Sequence, residues 1–422
     1  AHPAVRRPPA RVLRGRALLG LGNSLEAEKS FNEALALDDD NRMARWGIAA
    51  SQAARGRIQV AGKLLDGLIR ESPDFVYARM TRGQIALRDG QLEEAAVQFE
   101  AGLSALAGRT DRVLESQLLG GLIEAKLALG DLESGAALVE RLQRIVPRTL
   151  AARFFAAKLS FLRGEFDLAS NQLETILNVQ PENVQTLMLY GSASLAKQDY
   201  AQAESVFTQI VSRYPDNLSA RRLLAIAQTR LGESTAAVET LAPLLEGGVA
   251  TDSGLSVLAG QALMMSGSSE QAVALLEEAL EQEPGNAEIG LNLASAYLSI
   301  GRPGDATALA ERLPDNVDNF QKELILALGY AALQQAEAAD RQITAIVERD
   351  PGDVQALTLA GDFYLRNRST ARAVEFFERA LAIDGSYLPA LAGLARTYAR
   401  AGRMDEAAEQ YVAILAIHED NV

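Results

Sequence analysis

The 422-residue chain contains no cysteine, two histidines, one tryptophan and only 5% aromatic residues. Without cysteine there is no disulfide scaffold, no thiolate metal site and no cysteine nucleophile. Its absence is compatible with a bacterial envelope compartment. His2 and His418 lie near opposite ends, so no shared zinc site is expected, and neither a metal nor a cofactor is implied. No stretch approaches the roughly 18 consecutive apolar residues of a membrane span. No glycine-rich phosphate loop occurs; Gly120–Gly121 reads as a helix-packing feature. The run Asp38-Asp39-Asp40-Asn41 lacks the alternate spacing and distal glutamate of a calcium loop and reads as a helix-ending turn. Asn217 and Asn367 begin glycosylation sequons of a kind common by chance. Positive charge is also short. A formal net charge of -14 argues against general nucleic-acid binding and against residence on an anionic membrane.

What the chain has in abundance is alanine and leucine at helical spacing. In GSSEQAVALLEEALEQEPGN, residues Gly267 to Asn286, Ser268 and Ser269 can cap a helix. Ala272, Leu276 and Ala279 then fall on one face. Pro284 and Gly285 end it, since proline lacks the N–H and glycine tolerates the turn.

The pattern returns about every 34 residues, which predicts twelve units of two helices each. The frames are 8–41, 42–75, 76–109, 116–149, 150–183, 184–217, 218–251, 253–286, 287–319, 320–353, 354–387 and 388–421. Residues 1–7 read as a flexible lead. Residues 110–115 read as an insertion or a lengthened helix, and Gly247–Gly248 as a flexible joint before the block 252–421. Pro314 cuts short the second helix of the ninth unit. A small residue at position 8 and alanine at position 20 let two antiparallel helices approach closely. An aromatic or leucine at position 24 fills the space beside them. Each pair leaves an apolar face that the next pair covers, so the expected fold is all-α: one continuous right-handed superhelical solenoid. The last apolar face, ending at Val422, has no polar cap, so the array reads as cut short at both ends.

This pattern resembles the tetratricopeptide repeat family over residues 8–421. The resemblance implies a concave groove lined by first helices and a convex back of second helices. It implies protein or peptide partners and no catalysis. A narrower resemblance, carried by LRGRALLGLGNSLEAEKSFNEALALDDDN, YPDNLSARRLLAIAQTRLGESTAAVETLAPLL and LAGQALMMSGSSEQAVALLEEALEQEPGN, is to bacterial PEP-CTERM/exosortase-associated tetratricopeptide lipoproteins of exopolysaccharide systems. It implies a periplasmic or outer-membrane-associated scaffold for polysaccharide machinery. The lipid-bearing cysteine of such proteins is not in this sequence. Two other family grooves do not match. The lysine–asparagine–arginine clamp for chaperone C-termini and the asparagine ladder of sugar transferases both leave only Asn292.

Positions 2, 5, 9 and 13 of the first helices should face the groove. They supply Met43, Trp46, Tyr77, Gln84, Arg88, Phe154, Lys158, Arg222, Arg230, Arg366, Arg396 and Arg400. The candidate partner-binding residues are Trp46, Tyr77, Gln84, Arg88, Phe154, Lys158, Arg222, Arg366 and Arg396. An exposed aromatic can anchor a peptide or sugar; packing between helices is the other reading of Trp46 and Phe154. The arginines can meet an acidic peptide or anionic polysaccharide; pairing with glutamates of the same face is their alternative. The expected function is a non-enzymatic interaction scaffold. The alternatives are a repeat region of a larger enzyme such as a glycosyltransferase and a cytosolic peptide-binding adaptor.

Overall fold

A computed structural model of the chain describes residues 8–107, 111–246, 253–314 and 319–419. The lead 1–7 and the Gly247–Gly248 joint lie outside the described residues. Among the described residues there are twenty-four helices and no strand. They fall into two compact units, 1–214 and 215–422.

The first unit begins with α1 (Pro8–Gly20), α2 (Ser24–Leu35), α3 (Arg42–Ala54), α4 (Ile58–Glu71), α5 (Val76–Arg88) and α6 (Leu92–Leu106). It continues through α7 (Arg112–Ala128), α8 (Leu132–Ile145), α9 (Leu150–Leu162), α10 (Phe166–Leu177), α11 (Val184–Ala196) and α12 (Tyr200–Arg213). The second unit opens with α13 (Leu218–Leu231), α14 (Ser234–Glu246), α15 (Ser253–Met265), α16 (Ser269–Gln282), α17 (Ala287–Ser299) and α18 (Pro303–Arg312). It ends with α19 (Asn319–Ala332), α20 (Ala336–Arg349), α21 (Val354–Arg366), α22 (Thr370–Ile383), α23 (Leu388–Arg400) and α24 (Met404–Glu419).

Asparagine and aspartate start many of these helices. Asn41, Asp131, Asn183, Asp199 and Asn217 each accept a backbone N–H from the first turn, satisfying a donor the helix leaves unpaired. Asp111 does the same for α7, which takes residues 112–115 into its first turn and reaches 17 residues. Helix α18 has only 10 residues, because Leu313 turns extended before Pro314. Between the two helices of a repeat, position 15 lies in the left-handed region. Nine repeats place glycine there; Gln198, Gln334 and Arg368 adopt φ 62° with full side chains.

The core is built from rings set between glycines. Phe31, Phe99 and Phe377 are fully buried at position 24. Each ring touches a position-8 glycine of its own repeat and a position-6 glycine of the next: Gly15 and Gly47, Gly83 and Gly121, Gly361 and Gly393. A β-carbon at any of these six would come within 3.0 Å of the ring. One side chain therefore joins three helices.

Successive first helices touch one another from α1 to α11 and from α13 to α19, and again at α21 and α23. Among the described residues no two second helices come close backbone to backbone, although Arg372 of α22 reaches Asp340 of α20 through its side chain. Within each unit the first helices are thus the inner, crowded layer. The sequence of inner contacts breaks between α19 and α21.

Candidate functional site

Among the described residues the inner layer carries cavities whose walls come mostly from first-helix positions. One of about 670 Å³ spans α13, α15 and α17. Its residues fall at positions 2, 5, 6, 9, 12 and 13: Arg222, Ile226, Thr229 and Arg230 from α13; Gly254, Val257, Leu258, Gln261, Met264 and Met265 from α15; Glu288 from α17. Helix α15 holds no charged residue, so the floor is apolar and the charge sits at the rims. Gln261 donates to the Asn292 side chain (3.1 Å), and Asn292 donates to the Glu288 carbonyl (2.9 Å). This chain of bonds fixes the polar wall.

In the first unit a cavity of about 350 Å³ lies across α5, α7 and α9. Met80, Phe155 and Gly120 line it with Gln84, Gln117, Ser116 and Thr149; no lining residue is charged. A third cavity, about 370 Å³, lies among α19, α21 and the approach to α23, lined by Leu324, Leu328, Leu359, Asp362 and Arg366.

The candidate residues therefore divide. Gln84, Arg222 and Arg366 line cavities. Arg88 is exposed at position 13. Trp46 does not stand in the groove as a solvent-facing anchor: it is only 8% exposed. Its indole N–H donates to the Thr81 hydroxyl of the next repeat (2.8 Å), and its ring packs 5.2 Å from Tyr77. Tyr77 is half-buried beneath the Arg16 guanidinium. Phe154 is half-buried against Ala157 and Leu173, while its neighbour Phe155 reaches the cavity. Lys158 pairs with Glu124, and Arg396 pairs with Asp362 (3.1 Å). All four occupy position 9, so each pair bridges neighbouring repeats along the inner row.

Sequence reasoning missed Leu258 and Phe155 at position 6 and Met264 at position 12, positions that groove and interhelical contacts share; it also passed over Gln117 and Met265, which occupy the groove-facing positions 2 and 13.

Charge is sorted by layer. The first helices carry nineteen basic and five acidic side chains; the second helices carry eleven and thirty. Many of these charges neutralise one another within a repeat. Arg45 of α3 pairs with Glu71 of α4, and the same two positions hold Glu323 and Arg349 with the signs exchanged. Such half-exposed pairs are worth no more than about 1 kcal/mol each. Arg88, Arg230 and Arg366 stay exposed on the inner layer.

The outer side of the second unit has its own row. The phenols of Tyr297, Tyr330 and Tyr398 donate to Glu277 (2.7 Å), Glu311 and Glu378 (3.1 Å) of the preceding second helix, and Tyr364 donates to Asp340. Burial, then the carboxylate bond, pushes the Tyr297 and Tyr364 phenols up to about 12. Tyr190 is raised to about 12 in the same way beside Glu174 in the first unit. Arg302 and Arg403 lie over the Tyr297 and Tyr398 rings at 4.4 and 4.3 Å. Among the described residues no three histidine, aspartate or glutamate side chains gather as a metal site, and no helix is long and apolar enough to cross a membrane.

Two family models, both described as tetratricopeptide repeat, match the chain. One covers 194–250, 263–328 and 364–421; the other covers 12–74, 54–108, 163–216 and 326–387. The chain is 25% identical over 394 residues to cellulose synthase operon protein C of Pseudomonas fluorescens (strain SBW25), covering 86% of this chain and 27% of that protein. It is 26% identical over 412 residues to the protein of the same name in Xanthomonas axonopodis pv. citri (strain 306), covering 93% and 23%. It is also 25% identical over 339 residues to a DnaJ homolog subfamily C member 7 homolog of Schizosaccharomyces pombe (strain 972 / ATCC 24843), covering 78% and 60%. The chain thus spans between about a quarter and three-fifths of the length of these relatives. Among solved structures it is similar to yeast Tom70, with TM-score 0.45, 16% identity, and 98% and 95% of the two chains covered. Another is the APC/C hetero-tetramer Cut9–Hcn1, with TM-score 0.47, 14% identity, and 96% and 86% covered.

Proposed function

The chain belongs to the tetratricopeptide repeat family, and we propose that it is a non-enzymatic scaffold whose first-helix layer holds segments of partner proteins. The observation that carries this reading is the cavity across α13, α15 and α17. Three successive first helices give it an apolar floor and polar rims, the pattern of a peptide groove. Gln84, Arg88, Arg222, Arg230 and Arg366 would meet the partner. Trp46, Lys158 and Arg396 would act from behind, by fixing the helices that carry them.

The partners we favour belong to exopolysaccharide assembly or export, in the periplasm or at the outer membrane of a bacterium. The similarity to cellulose synthase operon protein C supports this setting. A photo-crosslinking residue at Gln261, expressed in the native host, tests it. The expected products are adducts with envelope proteins, absent when the crosslinker sits at Glu281 on the second-helix layer. Adducts only with cytosolic proteins would overturn the setting. Equal adducts from both sites would overturn the groove.

A second reading, a substrate- or partner-binding region of a larger enzyme, is favoured by the short coverage of the relatives. Detection of a transferase activity in the full-length gene product would favour it over the scaffold.

A further inference from the structure

Charge changes sign across the three helices that wall the cavity of about 670 Å³. Helix α13 carries three arginines and no carboxylate, α15 carries no charge, and Glu288 is the one charged residue of α17. Arg221 is taken up by the carbonyls of Pro215 (3.0 Å) and Thr240 (3.2 Å). Arg222 and Arg230 line the cavity from α13, and Glu288 lines it from α17. Arg230 and Glu288 are exposed, and neither side chain has an ion-pair or hydrogen-bond partner among the described residues. Elsewhere on the inner row opposite charges of adjacent repeats neutralise each other, as Lys158 and Glu124 do, and Arg396 and Asp362. Here α15 stands between them.

The intervening floor is apolar by exception. Position 13 is arginine in four repeats, at Arg88, Arg230, Arg366 and Arg400, and methionine only in α15. That methionine, Met265, is 56% exposed and faces the cavity. An unbranched thioether adapts to apolar partners of different shape. Gln261, the one polar side chain that α15 lends to the cavity, already donates to Asn292 (3.1 Å).

We propose that this cavity reads charge order. Its occupant is a segment of a partner protein with a carboxylate over α13, aliphatic side chains over α15 and a cationic side chain over α17. The inference rests on the groove reading and adds the chemistry of what the groove takes. Charge complementarity carries it, because a segment with one sign at both ends sets like charge against Arg230 or Glu288. Packed helices stand about 8–10 Å apart, so the charged rims are roughly 16–20 Å apart, which an extended chain crosses in about five or six residues.

Saturation-transfer NMR on the full chain tests this with four peptides. Two are acetyl-Glu-Leu-Ala-Leu-Ala-Lys-amide and the same residues in reverse order. The other two carry glutamate at both ends or lysine at both ends. One mixed-charge peptide should bind about fivefold more tightly than either like-charged one. Arg230→Gln should weaken that peptide about fivefold and leave unchanged a version with alanine in place of glutamate. Glu288→Gln should do the same at the lysine end. Met265→Arg, which gives α15 the arginine of four other repeats, should weaken the mixed-charge peptide and favour the one with two glutamates. Binding of none of the peptides, equal binding of all four, or mixed-charge binding indifferent to both Arg230→Gln and Glu288→Gln would overturn the proposal. The groove reading fails on a different result, equal adducts from crosslinkers at Gln261 and Glu281. Charge-indifferent binding with adducts confined to Gln261 therefore removes the charge order alone.

Discussion

A β-carbon on Gly393 would lie 2.3 Å from the ring of Phe377, a side chain of the preceding repeat. Gly361 closes the other side of the same ring at 2.7 Å. Alanine at either glycine must push a fully buried ring that has nowhere to move. Gly393→Ala should therefore destabilise the second unit by about 1–3 kcal/mol in denaturant titration. Gly62→Ala is the control, because nothing lies within 4 Å of that site in α4. It should gain about 0.5–1 kcal/mol from helix propensity.

The left-handed turns give a second prediction with the opposite sign. Gln198, Gln334 and Arg368 hold φ 62° where the other repeats use glycine. Relief of that strain by Gln198→Gly should raise stability by up to about 1 kcal/mol, net of the added chain entropy. Gly232→Ala, at φ 81°, should lower it. Melting temperatures of the two variants moving in the same direction would count against this account.

Trp46 and Thr81 make a testable bond between two repeats. Thr81→Val keeps the shape and removes the acceptor, leaving a buried indole N–H unsatisfied. The expected cost is about 1–3 kcal/mol. Trp46→Ala should cost more, about 3–5 kcal/mol, through the cavity left behind. If Trp46→Ala instead melts normally and loses partner binding, the indole is an anchor after all.

The tyrosine row sets an alkaline limit. Tyr297, Tyr364 and Tyr190 are raised from 10.0 to about 12 in the folded chain, by burial first and the carboxylate bond second. The folded state thus holds a proton that the unfolded chain releases earlier. Its contribution is complete below pH 10 and is lost as pH rises toward about 12. Ultraviolet titration of the native protein should show these phenolates appearing late, together with loss of helical signal. Tyr297→Phe should remove that residue's share of the pH dependence. Early titration of the full tyrosine complement, with helix intact, would refute the bonded row.

Much of this was legible from spacing. The 34-residue period, the small residue at position 8, the alanine at position 20 and the aromatic at position 24 each reflect contact inside one helix pair, and local contacts repeat with the chain. What spacing hid lies between pairs. Gly47, Gly121 and Gly393 at position 6 matter only because a ring from the previous repeat arrives there. Trp46 looked free because position 5 faces the groove in one repeat and the next helix in another. Lys158 and Arg396 looked like ligands for a partner until Glu124 and Asp362, 34 residues earlier, proved to be theirs. Tyr364 turns to Asp340 because position 25 of the repeat before it is Thr344, an ordinary residue whose effect is visible only against the other junctions.

The break in the inner layer between α19 and α21 has a mechanical consequence. Elsewhere in the second unit a junction is held by first-helix contacts as well as by second-to-first contacts. This one is held by α20 against α21, by an apolar core that side chains of α19 share with α21 and α22, and by the Tyr364–Asp340–Arg372 bonds. Load passing along the second unit would therefore cross this joint through side chains rather than through first helices packed backbone to backbone.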